Sequence, residues 1–145
     1  YIPHRHDEGF GLNLDAIEEI AGRGTKLIIT VDCGVADIEE VKRANELGID
    51  VIITDHHEAN ELPEALAIVN PKRKDSRYPF DGLCGSAVAF KLVQAILAKE
   101  NFGIKPGMEK WSLDMVGIAT LGDMVPLIEE NRILAKFGLK SSICF

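Results

Sequence analysis

Apolar and polar residues alternate between two periods along the first seventy residues, and the switch between them predicts the elements. From Leu14 to Ala21, "LDAIEEIA" carries apolar residues at helical spacing, and Gly22 and Gly24 close it as glycines commonly close helices. "KLIITVDCG" then runs as an apolar, β-branched strand over Leu27–Val31. In "VADIEEVKRANELG" the stripe at 35, 38, 41, 44 and 47 predicts a second helix stopped by Gly48, and "IDVIITDHH" supplies the next strand. Strand, helix, strand within about thirty residues is a βαβ unit. Continuous apolar strands predict an α/β fold with a parallel sheet flanked by helices and covered on both faces, with a right-handed crossover.

Ala67–Val69 predicts a third, short strand, followed by a long loop rich in Pro, Gly and charge. A helix is expected over Ser86–Lys99, a turn over 103–107, and another helix over Leu113–Leu121, broken by "GDMVPL" because Pro126 cannot sit inside a helix. The amphipathic "EENRILAKFGLKSS" predicts a last helix whose partner lies outside the chain. The opening "YIPHRHDEGFG" reads as a loop.

Both β-branched strands run straight into ionisable residues, Asp32 in one case and Asp55, His56, His57 and Glu58 in the other. Ligands of open parallel sheets gather outside the carboxyl ends of the strands, and neighbouring strands lie about 4.8 Å apart. Side chains from the two strand ends can therefore converge on one point. Carboxylate oxygen with imidazole suits Mn²⁺ or Mg²⁺ activating a water. The plainer alternative is a pair of solvated polar strand ends.

Composition narrows the partners. The chain has 145 residues, 46% hydrophobic and 27% charged, as in a globular domain. Its net charge of −7 argues against a surface that grips nucleic acid by charge alone, so any such contact is local or lent by a metal. No apolar run reaches the length that spans a bilayer and no leader pattern opens the chain, so no membrane partner and a cytoplasmic location are expected. Cys33, Cys84 and Cys144 lack paired spacing and read as reduced structural thiols. Trp111 and Phe90 are expected in the core.

"VDCG", "DHHE", "VNPK", "LCGSAVAFKL" and "ATLGDMVPL", in that order, resemble successive motifs of the DHH phosphoesterase superfamily, most closely its RecJ branch of single-strand-specific 5′ to 3′ exonucleases. The resemblance covers nearly the whole chain. It implies metal-dependent phosphodiester hydrolysis of single-stranded DNA, in DNA repair and recombination, with a two-metal Mn²⁺ or Mg²⁺ centre. Asp32 matches a metal-bridging aspartate, His56 a metal-ligating histidine, and Asp123 the carboxylate that completes the second metal's shell. His57 matches a histidine that faces the scissile phosphate, and Asp55 a residue that orients a neighbouring imidazole. Arg5 is a candidate phosphate clamp, with His4 and His6 weaker candidates. Asn70 and Lys72 either touch substrate backbone or form a turn set by Pro71. Gly85 and Ser86 either hold an anion at a helix N-terminus or cap the helix.

The resemblance also implies what the chain lacks. The superfamily's first motif, an Asp-x-Asp pair on an earlier strand, does not occur in these residues, nor does the C-terminal substrate-binding domain with its glycine-rich motif. The whole of 1–145 is then expected to be a partial domain, with 1–127 its core and 128–145 a helical segment leading towards a second domain. Beginning at Tyr1 in a loop-like stretch, the chain reads as a piece of something longer, which alone hydrolyses little or nothing. An exposed sheet edge predicts association or domain swapping. Two alternatives stand beside the exonuclease. One is a phosphoesterase of the same superfamily acting on short oligonucleotides or cyclic dinucleotides, which the opening "YIPHRHDEGFGL" disfavours. The other is a non-catalytic nucleic-acid-binding module, as in relatives that keep the fold and lose ligands.

Overall fold

The computed structural model describes residues 1–4 and 6–142, and side chains as far as Lys140. Arg5 and Cys144 lie outside the described residues. Three parallel strands, β1 (Leu27–Val31), β2 (Asp50–Thr54) and β3 (Ala67–Val69), lie in the order β1-β2-β3, with Val31 opposite Thr54 and Thr54 opposite Val69. That register brings the carboxyl ends of all three strands to one level, so whatever follows each strand emerges at the same rim.

Helices α1 (Leu14–Gly22) and α2 (Ile38–Glu46) pack against each other and build one core with Ile17, Val41, Ala44, Val51 and Ile53. Asn13 starts α1 by accepting from the Ala16 amide at 2.7 Å, which satisfies one of the donors a helix start leaves free. A second core joins α3 (Gly85–Lys99), α4 (Leu113–Gly122) and α5 (Glu129–Ser142) through Leu83, Ala87, Val88, Val116 and Leu134. A short 3₁₀ turn, Met108–Ser112, precedes α4. Helices predicted over 14–21, 86–99 and 113–121 thus form with ends shifted by a residue at most, and β1 and β3 match their predicted bounds. No helix among the described residues is long and apolar enough to cross a membrane.

Two expectations need correction. The sheet is not covered on both faces throughout: Leu27, Ile29 and Val31, which share one face of β1, are each about half exposed while Ile28 and Thr30 between them are half-buried and buried, and β1 is also an edge strand with no described strand on its outer side. Phe90 is buried as expected, whereas Trp111 is 65% exposed, carried outward by the 3₁₀ turn rather than by a core-facing helix.

Helices α4 and α5 approach closely enough that a Cβ on Gly138 would stand 2.2 Å from the Leu113 carbonyl oxygen and 2.7 Å from the Gly117 Cα. Both neighbours are backbone and cannot rotate away. Gly138→Ala is expected to cost about 2 kcal/mol in urea denaturation, the usual scale of overpacking. An unchanged denaturation midpoint would show that α5 can slide without loss.

Candidate metal centre

The site forms where β1 and β2 end. Asp32 takes a left-handed backbone, φ 65°, directly after β1, its amide bonded to the Thr54 carbonyl at 2.9 Å. Gly34 follows at φ 107°, where an added Cβ would sit 3.0 Å from Thr30 Oγ1. This turn reverses the chain tightly enough that the Thr30 hydroxyl donates to the Cys33 carbonyl at 2.7 Å. The Thr54 hydroxyl donates to the Thr30 carbonyl at 2.6 Å and ties the two strand ends together. Buried polar groups are thereby paired within the sheet.

Asp55 is almost wholly buried and acts as a hub. Its Oδ2 accepts the Val35 amide at 3.0 Å, while Oδ1 accepts the His56 amide at 2.7 Å and the His57 amide at 3.2 Å and meets His57 Nδ1 at 2.6 Å. Burial pushes this carboxyl up, but the bonds from Val35, the His57 ring and the two histidine amides outweigh it and hold it below the usual carboxylate range. An ionised Asp55 leaves only one role for the His57 nitrogen beside it: Nδ1 carries the proton and donates, and Nε2 is left for other partners. The edge of the Phe10 ring meets the His57 ring with centroids 5.7 Å apart. The loop bearing Phe10 is itself pinned by the Leu12 amide, which donates to Asp37 Oδ2 at 2.7 Å.

Asp32, His56 and His57 each offer one ligand atom within 4.8 Å of the others. His56 Nε2 stands 3.2 Å from Asp32 Oδ1 and 3.4 Å from Asp123 Oδ2, the latter arriving from the turn after α4. Despite these distances, Asp32 Oδ1 and both ring nitrogens of His56 are buried without a hydrogen-bond partner. Burial raises the Asp32 carboxyl above its ordinary range, the nearby imidazoles only partly offsetting it. Two half-exposed carboxylates and a buried imidazole thus turn ligand atoms to one point, with Asp32 Oδ1 and the ring nitrogens shielded from water there. A divalent cation is the group that satisfies all of them together, and oxygen with nitrogen donors suits Mn²⁺ or Mg²⁺. The residues fit such an ion.

Other predicted positions fall around this point in different ways. An added Cβ on Gly85, at the start of α3, would lie 2.0 Å from Asp32 Oδ1, so the absent side chain makes room for the Asp32 carboxylate. Ser86 is half-buried on the next position, and no side-chain bond caps α3 at Cys84. Asn70 is 6% exposed and its amide is committed to the backbone: Nδ2 donates to the His57 carbonyl and Oδ1 accepts the Lys72 amide, both at 2.8 Å. His56, His57, Asn70, Lys72, Lys74 and Asp123 line one open cleft of about 820 Å³. His4 pairs with Asp7 at 2.6 Å. Sequence reasoning passed over Phe10, whose contact with His57 spans two segments far apart in the chain, and Asn131, which is fully buried behind the cleft.

Comparison with known proteins agrees with this geometry. The DHH family, N-terminal domain, matches residues 1–120. The chain is 49% identical over 141 residues to the single-stranded-DNA-specific exonuclease RecJ of Bacillus subtilis, covering 97% of this chain and 17% of that protein. To the Escherichia coli protein of the same name it is 38% identical over 148 residues, 95% of this chain and 25% of the relative. It thus spans a quarter or less of the curated relatives it matches. A crystal structure of exonuclease RecJ bound to manganese superposes with a TM-score of 0.81 at 33% identity, covering 97% of this chain and 34% of that one. RecJ of Thermus thermophilus, in complex with Mn²⁺, gives 0.71 at 32% identity, over 88% of this chain and 19% of the other. With the motif order of its sequence and the rim of its parallel sheet pointing the same way, the chain belongs to the DHH family, within the matched N-terminal domain.

Proposed function

We propose that this chain is part of a metal-dependent exonuclease acting on single-stranded DNA, and that Asp32, His56 and Asp123 hold the Mn²⁺ or Mg²⁺ it uses. The observation that carries this reading is the set of buried, unpartnered lone pairs on Asp32 and His56, with Asp123 alongside. The similarity to RecJ proteins supports the substrate class, and the repair and recombination role and a cytoplasmic location follow from that reading. When bound, the ion supplies an activated water and neutralises charge on a phosphodiester. Residues 1–127 form the catalytic domain's contribution, and α5 packs on α4 beyond them.

The protein's own residues divide the remaining work. Asp55 holds His57 with its proton on Nδ1, so that the Nε2 lone pair is free to accept a proton or hydrogen bond from a water beside a phosphate. Asn70 fixes the His57 carbonyl and the Lys72 turn, which sets the imidazole's height above the cleft floor. Lys72 and Lys74 place exposed ammonium groups on the same cleft, a local positive strip on an acidic chain. Gly85 leaves Asp32 its space, Ser86 sits beside it, and Arg5 is the remaining candidate for a phosphate contact. The unpaired edge of β1 is where the chain on its own would associate. Hydrolysis by this polypeptide alone is expected to be slight, since among the described residues only two carboxylates, Asp32 and Asp123, and the His56 and His57 imidazoles meet at this point, where a two-metal centre needs more donors.

Titration calorimetry with Mn²⁺ tests the assignment. One site is expected, weakened about tenfold by Asp123→Asn, which keeps the shape and removes the charge of a half-exposed ligand. Absence of binding to the wild-type chain, or binding indifferent to Asp123→Asn, would overturn it.

A further inference from the structure

Asn131 lies near the start of α5 with no exposed surface. Its Nδ2 donates to the Gly82 carbonyl at 2.6 Å and to the Pro126 carbonyl at 3.0 Å, while its Oδ1 is buried without a partner. Those two carbonyls belong to different walls of the cleft. Gly82 is in the segment that leads into α3, whose first residue, Gly85, abuts Asp32. Pro126 is in the segment that leaves α4 and carries Asp123.

The Asp123 amide closes α4 on the Ala119 carbonyl at 2.9 Å, but the turn that follows does not hold itself in place. Met124, next to Asp123, has φ 53° and is 88% exposed, and Glu129 has φ 43°. Two non-glycine residues in the left-handed region so close together make a turn that surrounding structure must impose. Few internal bonds do so: the Met124 amide reaches the Leu121 carbonyl at 3.1 Å and the Ile128 amide the Pro126 carbonyl at 2.9 Å. Asn131 bonds both cleft walls at once. An amide fits this task because it offers two N–H groups from one planar head. The arrangement also keeps a buried oxygen without a partner, a cost that packing alone would remove by substituting leucine.

We infer that Asn131 is a positioning residue for the metal centre: by donating to Gly82 and Pro126 it sets where the Asp123 carboxylate stands relative to His56 and Asp32. This rests on the metal reading proposed above. In Asn131→Asp the NH₂ gives way to a single carboxylate oxygen that faces both carbonyl oxygens, and the clamp becomes repulsive. In Asn131→Ser the side chain is too short to reach both carbonyls and leaves room for water.

Two readouts on the 145-residue chain decide it. Amide hydrogen exchange without metal is expected to quicken for residues 123–128 in both variants, and Mn²⁺ affinity to fall about tenfold or more. Val41→Ala, on the buried face of α2 in the opposite core, serves as the comparison for lost stability, and is expected to lower the melting temperature while leaving Mn²⁺ affinity unchanged. If Asn131→Asp fails to fold, Asn131→Ser carries both measurements. Wild-type exchange rates at 123–128 together with wild-type Mn²⁺ affinity in a folded Asn131 variant would overturn the inference, as would an equal loss of affinity in Val41→Ala. A wild-type chain that binds no Mn²⁺ would sink the metal reading, and the exchange measurement would then decide alone whether Asn131 positions the segment.

Discussion

Asp55→Ala is expected to cost about 3 to 5 kcal/mol in denaturant unfolding, the scale on which removing one partner of a buried charged cluster is felt. The carboxylate receives three backbone N–H groups and one ring N–H. Alanine leaves the Val35 and His56 amides in a buried setting with nothing to donate to, and each stranded donor costs about 1 to 3 kcal/mol. Asp55→Asn separates the two halves of the role. Its oxygen can replace Oδ1 towards His56 and His57, but its NH₂ then points at the Val35 amide, donor against donor. The asparagine variant is therefore expected to fall between wild type and alanine in stability while keeping the His57 ring in place. A shift of the His57 ring resonances in Asp55→Ala and not in Asp55→Asn would confirm the division. An alanine variant within about 1 kcal/mol of wild type would remove Asp55 from the centre of the site.

What could be read beforehand divides along a physical line. Strand β1, β2 and the helix between them were legible because hydrophobic period and glycine stops act within a dozen residues, and the positions of Asp32 and Asp55 at strand ends follow from those bounds alone. The resemblance drew in Asp123, which no local pattern connects to Asp32; the structure brings it to 3.4 Å from His56 Nε2. Geometry carried by the third dimension stayed hidden. Gly85 read as a helix start open to an anion, yet the carboxylate against it is Asp32 from the same chain. Asn70 read as a possible substrate contact, yet both ends of its amide hold backbone. Trp111 read as core by residue type, and a 3₁₀ turn carried it to the surface. Asn131 had no signal at all, since an asparagine near the start of an amphipathic helix ordinarily faces water. Contacts between segments decide these cases, and a single sequence records such contacts only through their consequences.

Gly85→Ala is expected to lower Mn²⁺ affinity about 100-fold, more than the loss of an outlying supporting bond. An alanine Cβ would stand 2.0 Å from Asp32 Oδ1, 2.4 Å from its Cγ and 2.5 Å from its Cβ. Rotation about the side chain relieves the first two contacts but not the third, which is fixed by the backbone. That backbone is already at φ 65° and bonded to Thr54, and so has little freedom to yield. The alternative is that α3 withdraws, but Cys84 and Ala87 are packed in the second core and hold its first turn. Either movement separates Asp32 from His56. The stability cost is expected near about 2 kcal/mol, as for other overpacked positions, so the fold survives and the affinity can be measured. Gly22→Ala supplies the contrast: its Cβ meets nothing within 4 Å, it ends α1 far from the rim, and it should hold stability or raise it by about 0.5 kcal/mol with Mn²⁺ binding unchanged. Equal Mn²⁺ affinity in both glycine variants would mean that the Asp32 carboxylate tolerates displacement, and would take Asp32 out of the ligand set.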